Sequence, residues 1–118
     1  MSICQITLTL VPVIWVERSG FDLNSDMTLD TNSAWKEIQP DSSFEAAFTK
    51  VLPRSMSWHK DLLMWGDISS HDIQVWYHAG KVESIEFRLD FRLKLNTMIV
   101  KIAEAARTLN CKIFFPEL

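Results

Sequence analysis

Asp72-Ile73-Gln74-Val75-Trp76-Tyr77-His78-Ala79-Gly80-Lys81-Val82-Glu83-Ser84-Ile85-Glu86-Phe87-Arg88-Leu89-Asp90-Phe91-Arg92 is the stretch that decides the fold. Ile73, Val75 and Tyr77 alternate with Asp72, Gln74, Trp76 and His78; Ile85, Phe87, Leu89 and Phe91 alternate with Ser84, Glu86, Arg88, Asp90 and Arg92. Period two marks two strands, each with one buried face. A three-residue loop, His78-Ala79-Gly80, with Gly80 in the left-handed region, predicts Tyr77 opposite Lys81, Val75 opposite Glu83 and Ile73 opposite Ile85. In that register the apolar sets share one face, and Trp76 shares the other with Val82 and Ser84. A two-residue loop would set Ile73 against Glu86, which register logic disfavours.

Upstream, Cys4, Ile6, Leu8 and Leu10 alternate with Gln5, Thr7 and Thr9, which predicts a first strand that Val13–Val16 extends past Pro12. Residues 19–32 are rich in Ser, Gly, Asn and Asp and read as a loop with a short strand at Met27–Leu29. Ser42-Ser43-Phe44-Glu45 has the form of a capping box, and Phe44, Ala47, Phe48, Val51 and Leu52 follow at helical spacing before Pro53. Trp58–Trp65 is apolar without period, and Gly66-Asp67 turns the chain. Downstream, Asn96 caps a second helix whose stripe is Met98, Ile102, Ala105, Ala106 and Leu109. Asn110 suits a left-handed helix end, and Cys111–Phe115 is a last strand ended by Pro116. The order strand, helix, strand, strand, helix, strand predicts a single α+β domain over residues 1–118. It is ferredoxin-like (βαββαβ), with an antiparallel-rich sheet and two helices on one face. Residues 13–40 and 54–70 are insertions that add edge strands or cover the other face.

Composition narrows the function. The 118 residues hold 12 Lys plus Arg against 15 Asp plus Glu, a net charge of −3, which disfavours nucleic acid. Only three glycines, Gly20, Gly66 and Gly80, are present and they are far apart, so no Gly-rich phosphate loop can be written. The apolar N-terminus lacks the basic n-region of a signal peptide and is too short to span a bilayer as a helix. Cys4 and Cys111 read as buried free thiols of a reducing cytoplasm, or alternatively as one bridge between the first and last strands. His59, His71 and His78 share no metal spacing, and no Cys-x-x-Cys occurs, so no metal or cofactor is expected. Neither thiol has an adjacent base, and no acid–base pair stands out. No catalytic residue is assigned.

Glu86, Arg88, Asp90 and Arg92 fall on one side of their strand, neighbours about 7 Å apart. Alternating signs make either a solvated, self-neutralising ladder or a polar recognition strip. Trp76 lies beside it as an aromatic anchor, because Trp and Arg dominate binding hot spots. Of the five tryptophans the others are expected in the core, with Trp35 able to go either way. Asp67 is an exposed turn acid.

Leu62-Leu63-Met64-Trp65-Gly66-Asp67, the strand Ile73–Tyr77 and the run Gly80–Arg92, followed by a helix and Leu109-Asn110-Cys111, resemble a set of small bacterial proteins of unassigned activity. These share a Leu-Leu-x-Trp-Gly turn and an Arg-x-Asp-x-Arg strand. The resemblance covers about residues 58–117. It implies a non-catalytic cytoplasmic protein similar to immunity proteins, which occlude the active site of a bacterial toxin. The contact residues under that reading are Asp67, Trp76, Glu86, Arg88, Asp90 and Arg92, the partner being a toxin domain rather than nucleic acid or membrane. The alternative is a small-molecule-binding or regulatory module with a pocket lined by Trp76 and Ser84–Arg92. A third reading, an enzyme of unrecognised type, needs titratable groups meeting in one cleft.

Overall fold

A sheet whose strands alternate in polarity must bury one face, and here helices cover it. The computed structural model describes residues 5–19 and 31–114. In chain order they form β1 (Gln5–Pro12), α1 (Val13–Ser19), α2 (Thr31–Glu37), α3 (Phe44–Thr49), β2 (Arg54–Ser55), β3 (Leu62–Gly66), β4 (Asp72–His78), β5 (Lys81–Asp90), α4 (Asn96–Thr108) and β6 (Cys111–Phe114). The fold is α+β, with a six-stranded sheet in the order β2-β3-β4-β5-β1-β6 and every neighbouring pair antiparallel. Expectations for Cys4, Gly20, the Met27–Leu29 strand, Phe115 and Pro116 fall outside the described residues. No helix among the described residues is long and apolar enough to cross a membrane.

The core lies between the inner sheet face and three helices, not two. Leu8, Leu10, Trp65, Ile73, Val75, Val82, Ile85, Phe87 and Leu89 supply the sheet side; α2, α3 and α4 supply Trp35, Phe48 and Ile102 among others. Phe48 is its hub, fully buried and edge-on to Trp65 at 5.3 Å and Phe87 at 5.4 Å. Trp35 settles as a core residue, its indole N–H donating to the Leu10 carbonyl at 2.8 Å.

The hairpin register corrects the expectation. His78 pairs with Lys81 across a two-residue turn, and both Ala79 (φ 52) and Gly80 (φ 80) are left-handed. Such a turn matches the right-handed twist of its strands. Tyr77 pairs with Val82, Trp76 with Ser84 and Ile73 with Phe87. A bulge at Trp76/Tyr77 leaves Glu83 as the extra residue and restores the parity that a two-residue loop alone would break. Val82 therefore joins the core face rather than sharing the outer face with Trp76.

Other local signals also resolve differently. Val13–Ser19 is a helix, not a continued strand, and Thr31–Glu37 forms a helix where the loop reading ended. The capping box does not form. Asp41 Oδ1 accepts from the Ser43 amide at 2.9 Å and its carbonyl accepts from Phe44 at 3.0 Å, while Glu45 pairs with Arg54 at 3.2 Å. Asn96 is the first residue of α4 and makes no side-chain cap bond; Asn110 is left-handed as expected, with φ 53. Residues 54–70 do add edge strands. β3 lacked a period because both its faces are covered, Leu62 and Met64 on one and Trp65 on the other.

Candidate functional site

The outer sheet face carries the polar residues of β4 and β5. Opposite each other stand Asp72 and Arg88, Gln74 and Glu86, Trp76 and Ser84, with Thr7 and Thr9 of β1 beside Arg88 and Glu86. This face is not an open, solvated strip. Asp72 is wholly buried, and Gln74, Ser84, Asp90, Leu62 and Met64 are buried with it.

A buried carboxylate needs compensation. Asp72 Oδ1 accepts from Arg88 Nε at 2.9 Å, and its Oδ2 accepts from Gln74 Nε2 at 3.0 Å. Gln74 Oε1 in turn accepts from the Trp76 indole N–H at 3.1 Å. Arg88, Asp72, Gln74 and Trp76 thus form one chain of bonds that fixes the Trp76 ring. The β3–β4 turn is fastened to the same strip, since Gln5 Nε2 donates to the Ser70 carbonyl at 2.6 Å and the Ile68 carbonyl at 3.2 Å.

The expected alternating ladder does not assemble. Arg88 pairs across to Asp72, and Asp90 pairs with Arg92, whose Nη2 and Nε reach its two carboxylate oxygens at 2.7 and 3.0 Å. β5 ends at Asp90, so Arg92 lies beyond the strand. The bonds from Arg92 pull the Asp90 carboxyl down to about 2. Asp90 also donates its amide to His71 Nδ1 at 3.0 Å, and both residues are buried. Asp67 is exposed, but its Oδ1 is occupied by the Ser69 amide and hydroxyl at 2.8 and 2.7 Å, which hold its carboxyl below the usual range. Of the six candidate contacts, the structure sets Glu86 beside Trp76 and leaves Arg88, opposite Asp72, toward the end of β4 and β5 that also holds Asp67, Asp90 and Arg92.

Glu86 is the residue left over. It is half-buried and has no hydrogen-bond or ion-pair partner among the described residues. Burial raises its carboxyl above the usual range; Arg88 opposes that shift and the Asp72 charge adds to it. A raised folded-state value favours the protonated form, so Glu86 stabilises the fold at low pH and loses that contribution as pH rises through its titration. Glu86→Gln is therefore expected to raise Tm at pH 7 by roughly 1–3 °C, with the gain vanishing below pH 4. Thermal unfolding followed at both pH values checks this, and an unchanged Tm at pH 7 refutes it.

Sequence reasoning missed one aromatic residue. Trp58, expected in the core, is 61% exposed. Its ring stands 5.4 Å from Trp76 at 69°, and His59 stands 5.4 Å from Trp76 on the same cluster. The loop carrying them is held, as His59 Nδ1 accepts from the Asp61 amide at 3.0 Å and the Asp61 carbonyl accepts from Tyr77 N–H at 2.8 Å. The available signal was the polar company of Ser57, His59 and Lys60. Met56 on this loop is 94% exposed.

Cys111 is a free buried thiol whose Sγ donates to the Leu109 carbonyl at 3.4 Å, and burial pushes it up to about 12. Among the described residues no group of three His, Cys, Asp or Glu side chains is placed to hold a metal ion. The chain matches no family model, no curated protein and no solved structure.

Proposed function

We propose that this chain is a non-catalytic binding protein that takes a basic protein partner on the outer sheet face. The observation that carries the reading is Trp58, largely exposed yet packed edge-on to a Trp76 whose indole is already bonded. A rigid aromatic anchor loses little conformational freedom on binding, which is what makes Trp a frequent hot spot. Glu86 adds an uncompensated carboxylate that a partner's Lys or Arg would satisfy, and the net charge of −3 favours encounter with a basic surface.

The resemblance of Leu62–Asp67 and Gly80–Arg92 to immunity-like bacterial proteins makes the partner a toxin domain, neutralised in the cytoplasm by covering its active site. The same reading takes β6-β1-β5-β4 as a ferredoxin-like core and β2-β3 as a hairpin added at its edge. The protein-partner reading is preferred to a small-molecule site on this face. Two cavities lined by described residues lie elsewhere, one between α3 and α4 and one at the β4–β5 hairpin.

The test is co-purification with the product of the gene immediately upstream. Trp58→Ala is expected to weaken that complex by about thirtyfold or more, measured by calorimetry, while leaving Tm nearly unchanged. A neighbourhood encoding no toxin together with no captured partner overturns the proposal, and so does a complex indifferent to Trp58.

A further inference from the structure

We propose that the cavity between α2 and the β4–β5 hairpin binds a small molecule carrying an oxyanion, a carboxylate or phosphate, on an apolar body. The cavity is ≈ 310 Å³ and is lined by Lys36, His78, Ala79, Lys81, Val82 and Glu83. That volume is at the lower end for small-molecule sites.

Its walls are held from both sides. Gln39, just past α2, accepts from the Val82 amide at 2.8 Å and donates to the Val82 carbonyl at 3.1 Å, and it also donates to the Trp35 carbonyl. One side chain thus pairs both polar groups of a strand residue and locks α2 against β5. On the other wall the hairpin keeps Ala79 left-handed at φ 52. A non-glycine residue is strained in that conformation, and such strain gathers at binding sites. Glu83 is the bulge residue, and bulges redirect side chains.

The charges set the ligand class. Lys36 comes from the last turn of α2 and Lys81 from the first position of β5, and neither has an ion-pair partner among the described residues. Glu83 is the one acid in the lining, so two cations and an imidazole face a single carboxylate. An oxyanion held in the cavity would meet both lysine ammonium groups as counter-charges. The Ala79 methyl and the lysine stems offer apolar contact to the rest of the molecule.

Backbone amide NMR titrations of the full chain with benzoate, phenyl phosphate, benzyl alcohol and inorganic phosphate test this. Saturable shifts at Lys36 and residues 78–83 are expected with benzoate or phenyl phosphate, and the tighter of the two names the oxyanion. Lys36→Gln and Lys81→Gln should each weaken binding about threefold, and Glu83→Gln should tighten it by a similar factor. That opposite sign is one that general damage to the fold would not produce. Benzyl alcohol binding as tightly as benzoate, shifts that never saturate, or lysine variants that bind like wild type overturn the proposal. Inorganic phosphate binding as tightly as phenyl phosphate overturns the apolar part. None of these residues belongs to the Trp58 cluster, so this result and the partner result are independent.

Discussion

Gly66→Ala should destabilise the protein by at least about 3 kcal/mol, roughly twice the cost of Gly80→Ala or more. Both glycines are left-handed, at φ +85 and +80. For that conformation alone alanine costs about 1–2 kcal/mol. The surroundings separate the two sites. A Cβ on Gly80 meets nothing within 4 Å, whereas on Gly66 it falls 2.3 Å from the His71 carbonyl oxygen, 2.9 Å from Leu52 Cδ1 and 3.1 Å from Asp72 Cα. Leu52 can rotate away. The His71 carbonyl cannot, because it accepts the Asp67 amide at 2.9 Å and closes the β3–β4 turn. Relieving the clash therefore opens the turn that sets Asp72 on the outer face. Urea unfolding of the two variants side by side measures the difference; equal costs would mean that the turn yields without loss.

Asp72→Ala is expected to cost about 3 kcal/mol, and the loss should be strongly non-additive with Arg88→Met. Asp72 has no exposed side-chain surface and Arg88 keeps 25% of its own. Removing the carboxylate strands a guanidinium that water reaches only in part and leaves Gln74 Nε2 without its acceptor. Removing Arg88 alone leaves a buried charge bonded only to Gln74. Removing both takes away the charge that needed compensation, so the double variant should be less destabilised than the sum of the singles by about 1–2 kcal/mol. Urea midpoints for the four proteins complete the cycle, and strict additivity would show that the pair does not act as a unit. Asp72→Ala also frees the Gln74 side chain that holds the Trp76 indole, so Trp76 fluorescence should shift to the red in that variant, whereas Arg88→Met keeps the Asp72–Gln74–Trp76 bonds and should leave it in place. In Asp72→Ala partner affinity should fall by less than in Trp58→Ala, because the anchor loosens but is not deleted.

The candidate site was legible only in part. Trp76, Glu86 and Arg88 were placed on one face from alternation, and that placement holds. Alternation also predicts Asp90 and Arg92 as members of the same exposed ladder. The strand stops at Asp90, and Arg92, itself exposed, folds back onto the buried Asp90 carboxylate as a local pair. A large apolar residue such as Trp58 usually goes to the core, but here its ring packs on Trp76 on the outer sheet face, opposite the face that α2, α3 and α4 cover. Asp72 was one polar residue among several in a strand pattern. Nothing local marks it as the buried centre that positions Trp76.

Strands and helices are readable in the residues alone where a period runs long enough, as in β1, β4, β5 and α4, and so is the sharing of faces along β4 and along β5 from Ser84 to Asp90; Lys81 and Val82, on the turn side of the bulge, are not. Alternation is a property of the local backbone and needs no partner to be read. Tertiary structure alone decided the register, because a single bulged residue, Glu83, trades a three-residue loop for a two-residue one at unchanged parity. It also decided the roles of the charges. A carboxylate becomes a buried pair or an unpaired acceptor according to which cation another strand brings within about 3 Å, and that separates Asp72 from Glu86 on the same sheet face.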